Sequence, residues 1–122
     1  MKKPILIIDD EESIRSILAE YLSEQGYRVA SVATPSEARK AVKTEVPLLI
    51  ITDLQLEDSD GLDLVAQLKA DLKAVPVILL TGVLFDARVA ENLESRSISS
   101  YLSKTAPLSR VLAEVRRLIG PA

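Results

Sequence analysis

Three stretches of this chain are apolar almost without interruption: ILII at 5–8, LLIIT at 48–52 and VPVILLT at 75–81. Successive side chains of a strand point to opposite faces, so a strand with one wet face alternates polar and apolar residues. A strand without alternation needs cover on both faces, which is the situation of a parallel sheet packed between helices. Two weaker runs, VASVA at 29–33 and ISSYLS at 98–103, have the length of further strands.

The segments between these runs carry helical spacing. Ile14, Ile17, Leu18, Tyr21 and Leu22 form one apolar stripe, and Gly26 stands where a helix C-terminal glycine belongs. Thr34-Pro35-Ser36-Glu37 is a capping box with proline at the first helical position. Leu62, Val65, Ala66 and Lys69 predict a third helix after Gly61, and Ala87, Ala90, Leu93 and Glu94 predict a fourth. Leu108, Val111, Leu112, Val115, Leu118 and Ile119 predict a fifth, begun by Pro107. Strand and helix thus alternate five times. Right-handed crossovers turn that order into an α/β fold, a doubly wound five-stranded parallel sheet with helices on both faces.

Composition narrows the chemistry. The chain has 122 residues, enough for one domain with its own core, and 48% of them are hydrophobic. Histidine and cysteine are both absent, which excludes Ser-His-Asp and Cys-His catalysis, thiol chemistry and disulfides. The net charge is −3, and the basic residues are scattered, with Lys2-Lys3, Arg39-Lys40 and Arg116-Arg117 as adjacent pairs, a poor footprint for direct nucleic-acid binding. No apolar run has the length of a membrane span or of a secretory signal, so the chain is read as a cytoplasmic protein.

In an open parallel sheet the functional crevice lies beyond the carboxyl ends of the strands. The first polar residues after the apolar runs are therefore the candidates: Asp9 and Asp10 after strand 1, Asp53 after strand 3, Thr81 after strand 4 and Lys104 after strand 5. Carboxylates crowded together repel unless a cation lies among them. Without histidine or cysteine, that cation is a hard, oxygen-seeking ion such as Mg²⁺. A carboxylate beside such an ion, an amine and a hydroxyl is suited to accept a phosphoryl group, since the aspartate is a covalent nucleophile and the cations face the transferring oxygens. Glu11 and Glu12, which complete the acidic run DDEE, are expected to open the first helix, where negative charge suits the dipole.

These residues, at this spacing and in this strand–helix order, resemble a response-regulator receiver domain of two-component signalling. The resemblance runs from Lys3 to Ile119, so that residues 1–122 read as one receiver domain. It implies a flavodoxin-like (βα)5 fold with strand order 2-1-3-4-5. It implies a phosphoryl group accepted on Asp53 from a histidine kinase or histidine phosphotransfer protein, with Mg²⁺ or Mn²⁺ as cofactor. Asp9, Asp10, Asp53 and the backbone carbonyl of Gln55 are then the metal site, Asp9 acting largely through water. Thr81 and Lys104 contact the phosphoryl group, and Thr81 with Tyr101 forms the conformational switch. Gly61 matches the family's loop glycine and Gly82 the small residue after the threonine. A homodimer through the face of helix 4, strand 5 and helix 5 is also implied. The chain catalyses only its own phosphorylation and dephosphorylation on this reading and is otherwise not an enzyme.

The sequence departs from the family pattern in three places. Glu57 stands four residues after Asp53 where proline is usual, Thr105 follows Lys104 where proline is usual, and Ser97-Ile98 replaces Gly-Ala before strand 5. A cis bond before a residue other than proline costs about 3 kcal/mol, so at Thr105 either that strain is kept or the loop runs differently. Two other functions fit parts of the pattern. A haloacid-dehalogenase-like phosphatase also combines Asp, Mg²⁺, Thr and Lys, but places its nucleophile after strand 1 in a D-x-D pattern that Asp9-Asp10-Glu11 lacks. A degenerate receiver, acting as a constitutive protein-binding module, is disfavoured because all five key residues are present.

Overall fold

The computed structural model describes residues 3–53, 55–56, 59–72, 74–81 and 98–122, with the backbone alone for 55–56, 59–63, 71 and 81. In chain order the elements are β1 (Ile5–Ile8), α1 (Glu12–Glu24), β2 (Val29–Val32), α2 (Pro35–Thr44), β3 (Leu49–Asp53), a two-stranded hairpin of β4 (Gln55–Leu56) and β5 (Ser59–Asp60), α3 (Gly61–Asp71), β6 (Val77–Thr81), β7 (Ser100–Ser103) and α4 (Leu108–Ile119). The main sheet has the order β2-β1-β3-β6-β7, and all of its pairings are parallel. Counting its strands alone, this is the expected 2-1-3-4-5 order. The predicted helix around Ala87–Glu94 lies outside the described residues.

The uninterrupted apolar runs have a direct explanation. Ile5 and Ile7 face one core, with Leu18 and Leu22 of α1 and Val111, Leu112 and Val115 of α4. Leu6 and Ile8 face a second core on the other side, with Ala38 of α2 and Leu64, Val65 and Leu68 of α3. Leu49 and Ile51 of β3 belong to the first core and Ile50 to the second, and β6 divides in the same way. β1 and β3 are buried at every position. The outer strands β2 and β7 alternate or are partly exposed, which is why VASVA and ISSYLS are weaker runs.

The helix ends follow local chemistry. Thr34 Oγ1 accepts the Glu37 N–H at 3.1 Å, with Pro35 as the first helical residue. α1 ends on Gly26 at φ +97°, with the Gly26 N–H on the Ser23 carbonyl and the Tyr27 N–H on the Leu22 carbonyl, a Schellman closure. Pro107 occupies the N-cap of α4, one position before the first helical residue. Gly61 opens α3 and does not lie in the preceding loop. No helix among the described residues is long and apolar enough to cross a membrane.

Candidate functional site

The register fixes which residues meet at the carboxyl edge. Ile8 pairs with Thr52, Asp53 with Leu80 and Thr81 with Ser103. Asp9 therefore leaves β1 beside the last residues of β3, and Lys104 leaves β7 on the same edge. The five sequence candidates Asp9, Asp10, Asp53, Thr81 and Lys104 share this edge by backbone position. The Thr81 side chain lies outside the described residues, as do Gly82 and Glu57. Gln55 is the first residue of β4, where its backbone pairs with Asp60.

Lys104 is the centre of the arrangement. Its side chain is 11% exposed, and its Nζ donates to Asp53 Oδ2 at 2.8 Å and to Glu11 Oε1 at 2.8 Å. Asp9 accepts as well, with Oδ2 at 3.1 Å and Oδ1 at 3.3 Å from the same nitrogen. Asp9 and Asp53 are both buried. Asp9 is anchored on three sides: its N–H donates to the Val32 carbonyl, its Oδ1 accepts the Glu11 N–H at 2.9 Å, and its carbonyl accepts from Arg15 Nη1 at 2.6 Å.

Burial pushes the Asp9 carboxyl above its ordinary range. The Glu11 N–H and the Lys104 ammonium pull it back in part, and the charge of Asp53 adds to the rise. Burial also opposes the charge on Lys104, but its bonds to Asp53, Glu11 and Asp9 outweigh that and hold the ammonium above the usual lysine range. Lys104 is therefore a fixed positive charge at neutral pH.

The sequence assigns Glu11 to the start of α1 and leaves it out of this cluster. In the structure Glu11 is the N-cap of α1, its side chain makes no capping bond, and its carboxylate lies on Lys104. Glu12 alone of the pair lies in the first turn. The Lys104–Thr105 question also resolves: no cis peptide bond occurs among the described residues. The loop instead turns on Ser103, whose Oγ lies 2.7 Å from Thr105 Oγ1 and accepts the Thr105 N–H, while the Ala106 N–H bonds to the Ser103 carbonyl. Tyr101 is 45% exposed on the outer strand β7.

Asp9, Asp10, Glu11 and Asp53 each bring a carboxylate oxygen within 4.8 Å of the others. An all-oxygen, multiply charged set of this kind fits a hard divalent cation. Such a set, at the carboxyl edge of a 2-1-3-4-5 sheet and with a lysine across it, matches one family. The sequence profile of the response regulator receiver domain fits residues 5–116.

The chain belongs to the response regulator receiver family.

Relatives agree. The receiver is 33% identical over 122 residues to the transcriptional regulatory protein GltR of Pseudomonas aeruginosa, covering 98% of this chain and 50% of that protein. It is 40% identical over 82 residues to the alkaline phosphatase synthesis transcriptional regulatory protein PhoP of Bacillus subtilis, covering 67% of this chain and 34% of that one. The receiver thus spans between a third and a half of the length of these two curated relatives. Among solved structures, a CheY-like receiver domain protein from Methanospirillum hungatei superposes with a TM-score of 0.89 at 23% identity, covering 96% of this chain and 93% of that one. The BeF3-activated N-terminal receiver domain of RstA from Klebsiella pneumoniae superposes with a TM-score of 0.86 at 27% identity, covering 95% and 97%.

Proposed function

We propose that this receiver accepts a phosphoryl group on Asp53 from a histidine kinase or a histidine phosphotransfer protein and passes the change to a downstream output. The observation that carries this reading is the Lys104 ammonium, 2.8 Å from the buried Asp53 carboxylate within an all-oxygen acidic cluster. An oxygen of Asp53 attacks phosphorus, the bond from phosphorus to the donor breaks, and the donor leaves with that electron pair. A carboxylate attacks through an oxygen lone pair, so the step needs no separate nucleophile. Asp53 ends β3, a central strand buried at every position, and its place in the sheet sets where the nucleophile stands before the donor arrives. Lys104 neutralises charge on a phosphoryl oxygen. Asp9, Asp10, Asp53 and the Gln55 carbonyl would hold Mg²⁺ or Mn²⁺, which would add positive charge to that of Lys104 when bound.

Thr81, at the end of β6, and Tyr101, on β7, are the proposed switch pair, reading the charge and acceptor oxygens that phosphorylation adds. We place the protein in the cytoplasm with its phosphodonor. It acts as a single receiver domain over 1–122, it catalyses only its own phosphorylation and dephosphorylation, and it forms a homodimer through the face that includes β7 and α4. Incubation with Mg²⁺ and acetyl phosphate followed by intact mass measurement tests the central claim. One acid-labile phosphoryl adduct is expected, absent from Asp53→Asn. An undiminished adduct in that variant would sink the assignment of Asp53.

A further inference from the structure

We infer that Glu11 is a positioning residue: it holds Lys104 in the unphosphorylated receiver and slows the reaction of Asp53 with anionic small-molecule phosphodonors. This rests on the phosphoacceptor reading of the same site.

An ammonium has three N–H donors, and Lys104 meets three carboxylates, Asp9, Asp53 and Glu11. To reach a phosphoryl oxygen of an approaching donor, while Asp53 is still a free carboxylate, Lys104 has to give up one of them. Asp9 and Asp53 have side chains only 2% and 7% exposed, so a lost ammonium would leave a carboxylate without water to replace it. Glu11 is 56% exposed, so water can replace the lysine there at little cost. Glu11 is therefore the partner that exchanges.

Helix capping does not explain its placement. Serine, threonine, aspartate and asparagine are the side chains that cap helices well, and the Glu11 side chain caps nothing. The turn into α1 is made by Asp9, whose Oδ1 takes the Glu11 N–H. The Glu11 carboxylate is left to act on Lys104 and on whatever approaches the mouth of the site. A dianionic donor approaching there meets a negative charge and finds the ammonium already engaged.

The test compares wild type with Glu11→Gln and Glu11→Ala, each with Mg²⁺ and acetyl phosphate, by the rate of adduct formation over a range of donor concentrations. Both variants should react about three- to tenfold faster at low ionic strength, mainly through tighter apparent donor affinity. The gain should fall below about twofold near 1 M salt, where exposed charges are screened. A rate that is unchanged or lower in both variants at low salt, or a gain that salt does not diminish, overturns the inference while leaving Asp53 as the acceptor. A wild-type chain that forms no adduct overturns both readings.

Discussion

The two edges of the main sheet use the same kinds of residue to opposite ends. At the amino edge, polar groups meet carbonyls or form an ion pair at the surface. The Tyr27 hydroxyl donates to the Gly120 carbonyl at 2.6 Å, Lys69 Nζ donates to the Val75 carbonyl, and Arg28 pairs with the half-exposed Glu45. At the carboxyl edge, the carboxylates of Asp9 and Asp53 are buried beside one another with one ammonium. The first arrangement satisfies each group where it stands. The second keeps an excess of negative charge out of water, which is a poor way to stabilise a fold and a good way to prepare for a cation and a phosphoryl group. The carboxyl edge gives up part of the sheet's stability to bring buried carboxylates and Lys104 together.

The largest effect is expected for Lys104→Met. The rate of phosphorylation by acetyl phosphate should fall about 10²-fold, the typical effect of losing one fixed donor at a developing charge. The same change should lower the urea midpoint in Mg²⁺-free buffer by the equivalent of about 3 kcal/mol, because buried carboxylates lose their counter-charge. Millimolar Mg²⁺ should restore much of it, since a ligand that binds only the folded state stabilises it. An equal loss with and without Mg²⁺ would show that Lys104 is a packing residue.

Next in size is pH. The Asp9 carboxyl is raised by burial, so its proton is released at a higher pH than that of an ordinary aspartate. Protons then compete with the metal at a higher pH than for an exposed carboxylate cluster. Mg²⁺ affinity, measured by calorimetry, should fall as pH drops through the upper carboxylate range and flatten above it. Asp9→Asn should shift that decline to lower pH. In the absence of metal the sign for stability is the reverse: a raised carboxyl pKa favours the folded state at low pH and that contribution is lost as pH rises.

At the amino edge the effects are smaller and confined to stability. Tyr27→Phe removes one buried-end hydrogen bond and should cost about 1 kcal/mol in denaturant unfolding, with the phosphorylation rate unchanged. A changed rate would mean that the two edges are coupled through α4. Arg28→Gln should have the smallest effect, a urea midpoint close to that of wild type, because an exposed ion pair is screened and its side chains are costly to order.

The same division governs what could be read from the sequence. The central strands were legible because ILII and LLIIT have to satisfy two cores at once, a demand that leaves no polar position. Thr34 and Gly26 were legible because a cap and a left-handed turn each require a particular side chain. The carboxyl-edge candidates were legible because a parallel sheet delivers strand ends to one place. The hairpin of Gln55–Leu56 with Ser59–Asp60 was not: strands of two residues have no periodicity, and LQLEDSDG reads as a loop. Glu11 was missed for a different reason. Whether a carboxylate near a helix start lies on the dipole or on a distant lysine depends on a one-residue offset and on Lys104 arriving from the far end of the chain. The sequence marks neither. At Thr105 the loss of the family's proline was visible, but the substitute turn around Ser103 depends on hydroxyl orientations that only the fold supplies.

The bond between Lys104 and Asp9 spans 95 positions of chain. Contacts of that separation form late, because the intervening loop must first be closed. A chain that has assembled β1, β2 and β3 already carries both buried aspartates but has no ammonium between them. The ammonium reaches them only when β7, at the outer edge, docks on β6. If Asp53 is the phosphoacceptor as proposed, responsiveness to a donor is also a report on completed folding.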